Sequence, residues 1–220
     1  MRHTRLFMLA CCLMMAAAAM AQDRYCLSYS DYKNNVWHPL DTLIVEEHSQ
    51  SRKLWWGGND FKFTTGDSNL DKTLKKEAFV ISHGDSLYVN CRNLRFEKTR
   101  FGSGYTRAFV FKDNQLAFAN TRIGKKAMRK RGLTAGMFGA IGAAISESNV
   151  MKHPVGYVIT DDAESLDKGR VAIHMLNDEY MQTLLEGSEL LEEYLSVKKT
   201  KERESAENTF DILRRMGWMK

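Results

Sequence analysis

Downstream of residue 40 the chain runs in short apolar stretches broken by turn residues, a spacing that predicts strands first and helices only near the end. Residues 41–48 (DTLIVEEH) read as a strand. Residues 53–56 and 60–64 read as a hairpin around Gly57-Gly58-Asn59. Residues 77–82 (EAFVIS) and 87–92 (LYVNCR) flank His83-Gly84-Asp85-Ser86, a tight-turn composition. Residues 105–111 and 116–120 form the next hairpin around Asp113-Asn114, with Phe109, Phe111 and Phe118 as core material. Residues 156–160 (GYVIT) and 170–175 (RVAIHM) are the last strands, joined by the acidic stretch DDAESLDKG. The period then changes. Asn177 caps a helix over residues 178–186 that buries Met181, Leu184 and Leu185, and Gly187 stops it. Ser188 caps a second helix bearing Leu190, Leu191, Tyr194 and Leu195. After the charged stretch KKTKERESAEN, Phe210, Leu213 and Met216 mark a last amphipathic helix. Near the amino end, YCLSYSDYKNN (residues 25–35) reads as a short helix capped at Ser30 or Asp31 with Tyr29 and Tyr32 facing inward.

The fold expected is therefore α+β. About nine short, mainly antiparallel strands make a curved sheet or partial barrel, and the helices of residues 177–217 pack against it. One segment breaks this pattern. Residues 132–145 (GLTAGMFGAIGAAI) place Gly132, Gly136, Ala140 and Ala144 on one helical row and Ala135, Gly139 and Ala143 on its neighbour. The result resembles a glycine zipper, a smooth face that another backbone can approach closely. Gly136, Gly139 and Gly142 inside a helix cost roughly 1 kcal/mol each, so the segment needs a tight partner. It is shorter than the roughly 20 residues that cross a bilayer. Three partners fit: this protein's own core, a membrane surface, or another protein.

The first 21 residues, MRHTRLFMLACCLMMAAAAMA, carry Arg2 and Arg5, then an apolar run, then an A-x-A site. This is the composition of a cleaved secretory signal, which leaves residues 22–220 as one exported domain. The formal net charge is +5. Six bases, Arg122, Lys125, Lys126, Arg129, Lys130 and Arg131, fall immediately before the glycine-rich segment, so the basicity is one patch and not a general coat. In an exported protein such a patch suits an anionic lipid or polysaccharide better than nucleic acid; a solvated helix or loop is the plainer alternative. Cys26 and Cys91 remain after the signal, and an oxidising compartment permits a disulfide between them. Cys91 also fits a buried thiol in a strand.

Candidate chemistry is sparse. His83, Asp85 and Ser86 are nearly consecutive and belong to a turn, whereas a triad is assembled from residues distant in sequence. The acidic stretch at Asp161, Asp162, Glu164 and Asp167 lacks the order of a calcium loop. His174 on a strand reads as a packed residue and not as a ligand. No catalytic set, metal site or cofactor is predicted, and a hydrolase ranks last. The leading expectation is a non-enzymatic envelope protein whose basic run and Gly132, Gly136, Gly139 and Gly142 contact a membrane or a protein partner. The alternative is a binding module for a glycan or small apolar ligand, with Trp55 and Trp56 as contacts.

Four features together resemble a family of secreted Bacteroidota proteins built on a domain of unknown function. They are the element Tyr29-Ser30-Asp31-Tyr32-Lys33-Asn34-Asn35, the strand GDSLYVN (residues 84–90), the mid-chain Gly/Ala segment, and the order GYVIT, turn, strand, MQTLLEGSELLEEY (residues 181–194). The resemblance implies export to the periplasm, the outer-membrane surface or the exterior, and a β-rich core. It carries over no catalytic residue.

Overall fold

Where a short turn joins two apolar stretches, they pair as neighbours; the remaining strands find partners far away in sequence. The computed structural model describes residues 22–49, 52, 59–123, 154–161 and 171–220. The strands are β1 (Arg24–Cys26), β2 (His38–Pro39), β3 (Ile44–Glu47), β4 (Phe61–Thr64), β5 (Val80–His83) and β6 (Ser86–Asn90). They continue with β7 (Arg95–Phe96), β8 (Thr99–Arg100), β9 (Tyr105–Phe111), β10 (Gln115–Asn120), β11 (Val155–Thr160) and β12 (Ala172–Met175). The helices are α1 (Tyr29–Lys33), α2 (Ser68–Lys76), α3 (Asp178–Leu185), α4 (Leu190–Ser196), α5 (Thr200–Arg203) and α6 (Ala206–Arg215).

Ten strands form one sheet in the order β12-β11-β10-β9-β6-β5-β1-β2, with β4 also on β9 and β3 on β4. The named pairings are antiparallel. The path runs from β12 to β2 without closing into a barrel, and the fold is broadly α+β with an antiparallel sheet of many strands. The hairpin β7–β8 stands apart as a second, two-stranded sheet. β4 pairs with β3, while the stretch 53–56 expected beside it lies outside the described residues. The short helix α1 is capped by Ser28, whose hydroxyl accepts from the Asp31 N–H at 3.0 Å, and not by Ser30 or Asp31. Tyr29 and Tyr32 do face inward.

Period two sets the two faces. On β10, Leu116 and Phe118 enter one core cluster and Ala117 the other; on β11, Val155, Tyr157 and Ile159 enter the first and Val158 the second. β11 is thus covered on both sides, which is why it reads as a continuous apolar run. Its first face meets Cys26, Val80, Val89, Leu94 and Phe101. The second is roofed by the helical tail through Leu176, Met181, Leu185, Tyr194, Phe210, Ile212 and Leu213. A third cluster packs Leu74 of α2 against Phe63, Ile81, Tyr88 and Tyr105.

Candidate functional site

The Gly/Ala segment leaves and re-enters the sheet at neighbouring points. β10 and β11 pair in the register Asn120↔Val155, so everything between them departs from one end of one strand pair. Residues 124–153 lie outside the described residues, and with them Lys125, Lys126, Arg129, Lys130, Arg131, Gly132, Gly136, Gly139 and Gly142. Both flanks are described. On the exit side, the Tyr157 hydroxyl accepts from the Ile123 N–H at 3.0 Å and donates to the Thr121 carbonyl at 3.2 Å. That tyrosine is fully buried, within 6 Å of Phe101 and Phe118 ring centroids. Its phenol therefore fixes the exit backbone from a rigid aromatic base.

The next residue, Arg122, is bound to the helical tail. Its guanidinium pairs with the Glu204 carboxylate, whose side chain is only 9% exposed. The other Glu204 oxygen accepts from the Asp178 N–H at 2.9 Å, at the start of α3. The Asp178 carboxylate in turn accepts from the Tyr194 hydroxyl at 2.8 Å and from Arg203 Nε and Nη2 at 2.8 and 2.5 Å. Arg203 also donates to the Val197 carbonyl at 2.8 Å. The two-pronged hydrogen bond from Arg203 holds the Asp178 carboxyl below the usual carboxylate range. Burial, with Asp178 as neighbour, pushes the Tyr194 phenol up. On the entry side, the Ala206 N–H donates to the Pro154 carbonyl at 2.8 Å, and Val155 bridges Ser205. Glu204, Ser205 and Ala206 therefore hold both flanks of the segment.

Sequence reasoning missed this anchor. KKTKERESAEN reads as a solvated charged stretch, yet Glu204 within it is buried. The one available signal was charge: a six-base patch on a chain otherwise slightly acidic implies acids placed to meet it.

The remaining predicted residues scatter. Trp55 and Trp56 lie outside the described residues, as do Asp162, Glu164 and Asp167. Asp161 pairs with Lys33 at 2.8 Å. His83 and Ser86 face each other across the Gly84-Asp85 turn, as predicted. His83 Nδ1 sits 2.8 Å from Asp23 Oδ1, and the Ser86 hydroxyl accepts from Arg107 at 3.0 Å. His174 stacks on Tyr180 with ring centroids 4.8 Å apart. Among the described residues no group of His, Cys, Asp and Glu is placed to hold a metal, and no helix is long and apolar enough to cross a membrane.

Cys26 and Cys91 are buried free thiols, so the disulfide that an oxidising compartment permits is not formed. Cys26 donates to the Val36 carbonyl at 3.1 Å, while Cys91 takes a 3.7 Å contact from Asn120 Nδ2. Burial, then the neighbouring Asp31, pushes the Cys26 thiol up to about 12, and burial raises Cys91 further. Neither is then a thiolate at neutral pH. Native protein treated with a thiol reagent is expected to leave both unmodified, and both should react on unfolding. Rapid native labelling of either would contradict the burial.

No curated protein and no solved structure matches the chain. The sequence profile of a family of unknown function, DUF6563, matches residues 24–219, and the chain belongs to that family.

Proposed function

We propose that this protein is exported and acts at the cell envelope, non-enzymatically, with the basic run from Arg122 and the Gly/Ala stretch after it contacting a membrane surface or an envelope protein. The observation that carries the reading is the double attachment of that stretch to Glu204, Ser205 and Ala206. A segment held at both ends transmits whatever it binds to the folded core. Arg122 is engaged with Glu204, and the reading assigns the contact to the other five bases of the run, Lys125, Lys126, Arg129, Lys130 and Arg131. Bases beside an anionic leaflet contribute about 1 kcal/mol each. The n-region, apolar run and A-x-A site of residues 1–21 support export to the periplasm, the outer-membrane surface or the exterior. The reading calls for no cofactor and no nucleic acid.

Fractionation of the native host, with a carbonate wash of the membranes, tests it together with vesicle sedimentation. The processed chain is expected to begin at Gln22 and stay with washed membranes. It should sediment with phosphatidylglycerol vesicles and not with phosphatidylcholine alone, unless a protein partner retains it. Changing these five bases to glutamine should lower retention at least tenfold at unchanged thermal stability, and Gly139→Leu should release the protein while leaving it folded. A soluble monomer that Gly139→Leu simply unfolds would make the segment core and overturn the reading.

A further inference from the structure

The arginines of the described residues divide into three groups. Arg52, Arg122, Arg203 and Arg215 pair with the carboxylates of Glu46, Glu204, Asp178 and Glu193. Arg24, Arg107 and Arg214 lie over aromatic rings, 4.5 Å from Trp37 and 5.8 and 5.3 Å from Phe109. Arg92, Arg95 and Arg100 do neither, and all three line one cleft of about 380 Å³ together with Asn93, Gly102 and Ser103.

Their placement is specified by the fold. Leu94 and Phe101 are buried at the base of the β7–β8 hairpin and Phe96 packs on the same core. Alternation then sends Arg95 and Arg100 to the other face. The register makes them direct partners, Arg95↔Arg100. Opposite residues of an antiparallel pair hold their Cβ atoms about 5 Å apart, and like charges there are destabilising. The turn adds to the cost, because Glu97 and Lys98 both take positive φ (47° and 69°) without a glycine. The base is rigid: Asn59 Nδ2 donates to the Phe101 and Ser103 carbonyls at 3.1 and 3.0 Å, and Asn93 Nδ2 to the Lys76 carbonyl at 2.9 Å. A small hairpin thus sets Arg95 directly opposite Arg100, with Arg92 lining the same cleft and no carboxylate among its lining residues.

From this geometry we infer that the cleft is a binding site for a multivalent oxyanion, the phosphate or carboxylate groups of a lipid headgroup or an acidic glycan. Guanidinium forks match such oxygens two at a time, and an anion seated between Arg95 and Arg100 converts their repulsion into attraction. None of the residues lining the cleft belongs to the basic run, and the inference stands whether or not that run contacts a membrane.

The test uses the processed protein with inorganic pyrophosphate as the probe, read by calorimetry and by thermal shift. Pyrophosphate is expected to bind saturably at low salt and raise Tm. Arg95→Gln or Arg100→Gln should weaken it roughly tenfold and the double variant roughly a hundredfold, while Arg52→Gln and the five-glutamine variant of the basic run bind as the wild type does. Without ligand, the Arg95→Gln protein should have the same Tm or a higher one, since it loses only a repulsion. Competition by oligogalacturonate would assign the glycan source, and competition by phosphatidylglycerol vesicles the lipid source. Absence of saturable pyrophosphate binding, or binding that survives in the Arg95→Gln/Arg100→Gln protein, overturns the inference.

Discussion

Replacing Glu204 by alanine is expected to lower the stability of this protein by about 3 kcal/mol, with most of the loss coming from groups left behind. The carboxylate accepts from the Arg122 guanidinium and from the Asp178 N–H. Truncating one member of a buried ion pair costs about 3–5 kcal/mol when the survivor is cut off from water. Arg122 is 35% exposed, so water recovers part of that cost and the lower end applies. Glu204→Gln keeps an acceptor for the Asp178 N–H but not the charge, and about half the loss is expected. Urea unfolding measures both, and an alanine variant within about 0.5 kcal/mol of wild type would show that the anchor contributes nothing. Acid adds an independent check through Asp178. Its folded carboxyl titrates lower than an ordinary aspartate because Arg203 is bound to it. As pH falls through about 4, the unfolded chain takes up this proton first. The contribution is therefore complete above that range and is lost as pH drops through the folded value. Arg203→Met should flatten that part of the acid limb while leaving the rest.

The anchor also shows where sequence reading succeeds in this chain and where it stops. Hairpins closed by a few residues were legible, because turn composition and period two are local: β5–β6 and β9–β10 lie where residues 77–92 and 105–120 place them. So was α3, since Asn177 accepts from the Tyr180 N–H at 3.0 Å and Gly187 takes φ 76° just past the end. Helix α2 was not, although Asp67 caps it through the Asn69 and Leu70 N–H groups. It buries only Leu74, too little apolar material for a visible stripe. The β7–β8 hairpin was missed because Glu97-Lys98 is not a turn composition. Strand β4 takes β3 as its partner for tertiary reasons that local pattern does not contain. Glu204 is the extreme case: its partner Arg122 is 82 residues away, and a glutamate in a lysine-rich stretch looks solvated until that distance closes.

Gly156→Val is expected to have the other large effect, at least about 3 kcal/mol and at worst no folded protein. Glycine is required there for space and not for backbone freedom. A Cβ at this position would lie 2.6 Å from Leu176 Cδ1, 2.7 Å from Phe210 Cε1 and 3.3 Å from Thr209 Oγ1. Leu176 is fully buried and Phe210 nearly so, so neither can swing aside without displacing α6 from the sheet. Gly156→Ala presents the same Cβ with less behind it, and about 1–3 kcal/mol is expected. Leu176→Ala by itself should cost about 2–5 kcal/mol through the cavity it opens. In the Gly156→Ala/Leu176→Ala protein the new methyl enters that cavity, so the double variant should lose less than the two single losses added together. Simple additivity would mean that the methyl is accommodated elsewhere. The position matters beyond stability because its neighbours carry the anchor: Val155 bridges Ser205, and Tyr157 holds Thr121 and Ile123. Displacing α6 pulls the Ala206 N–H from the Pro154 carbonyl, so in Gly156→Ala hydrogen exchange at Ala206 should accelerate more than exchange in β5 or β6. Uniform acceleration across the sheet would mean that the helical tail and the sheet open together, and that the flanks of the Gly/Ala segment cannot be loosened without unfolding the whole.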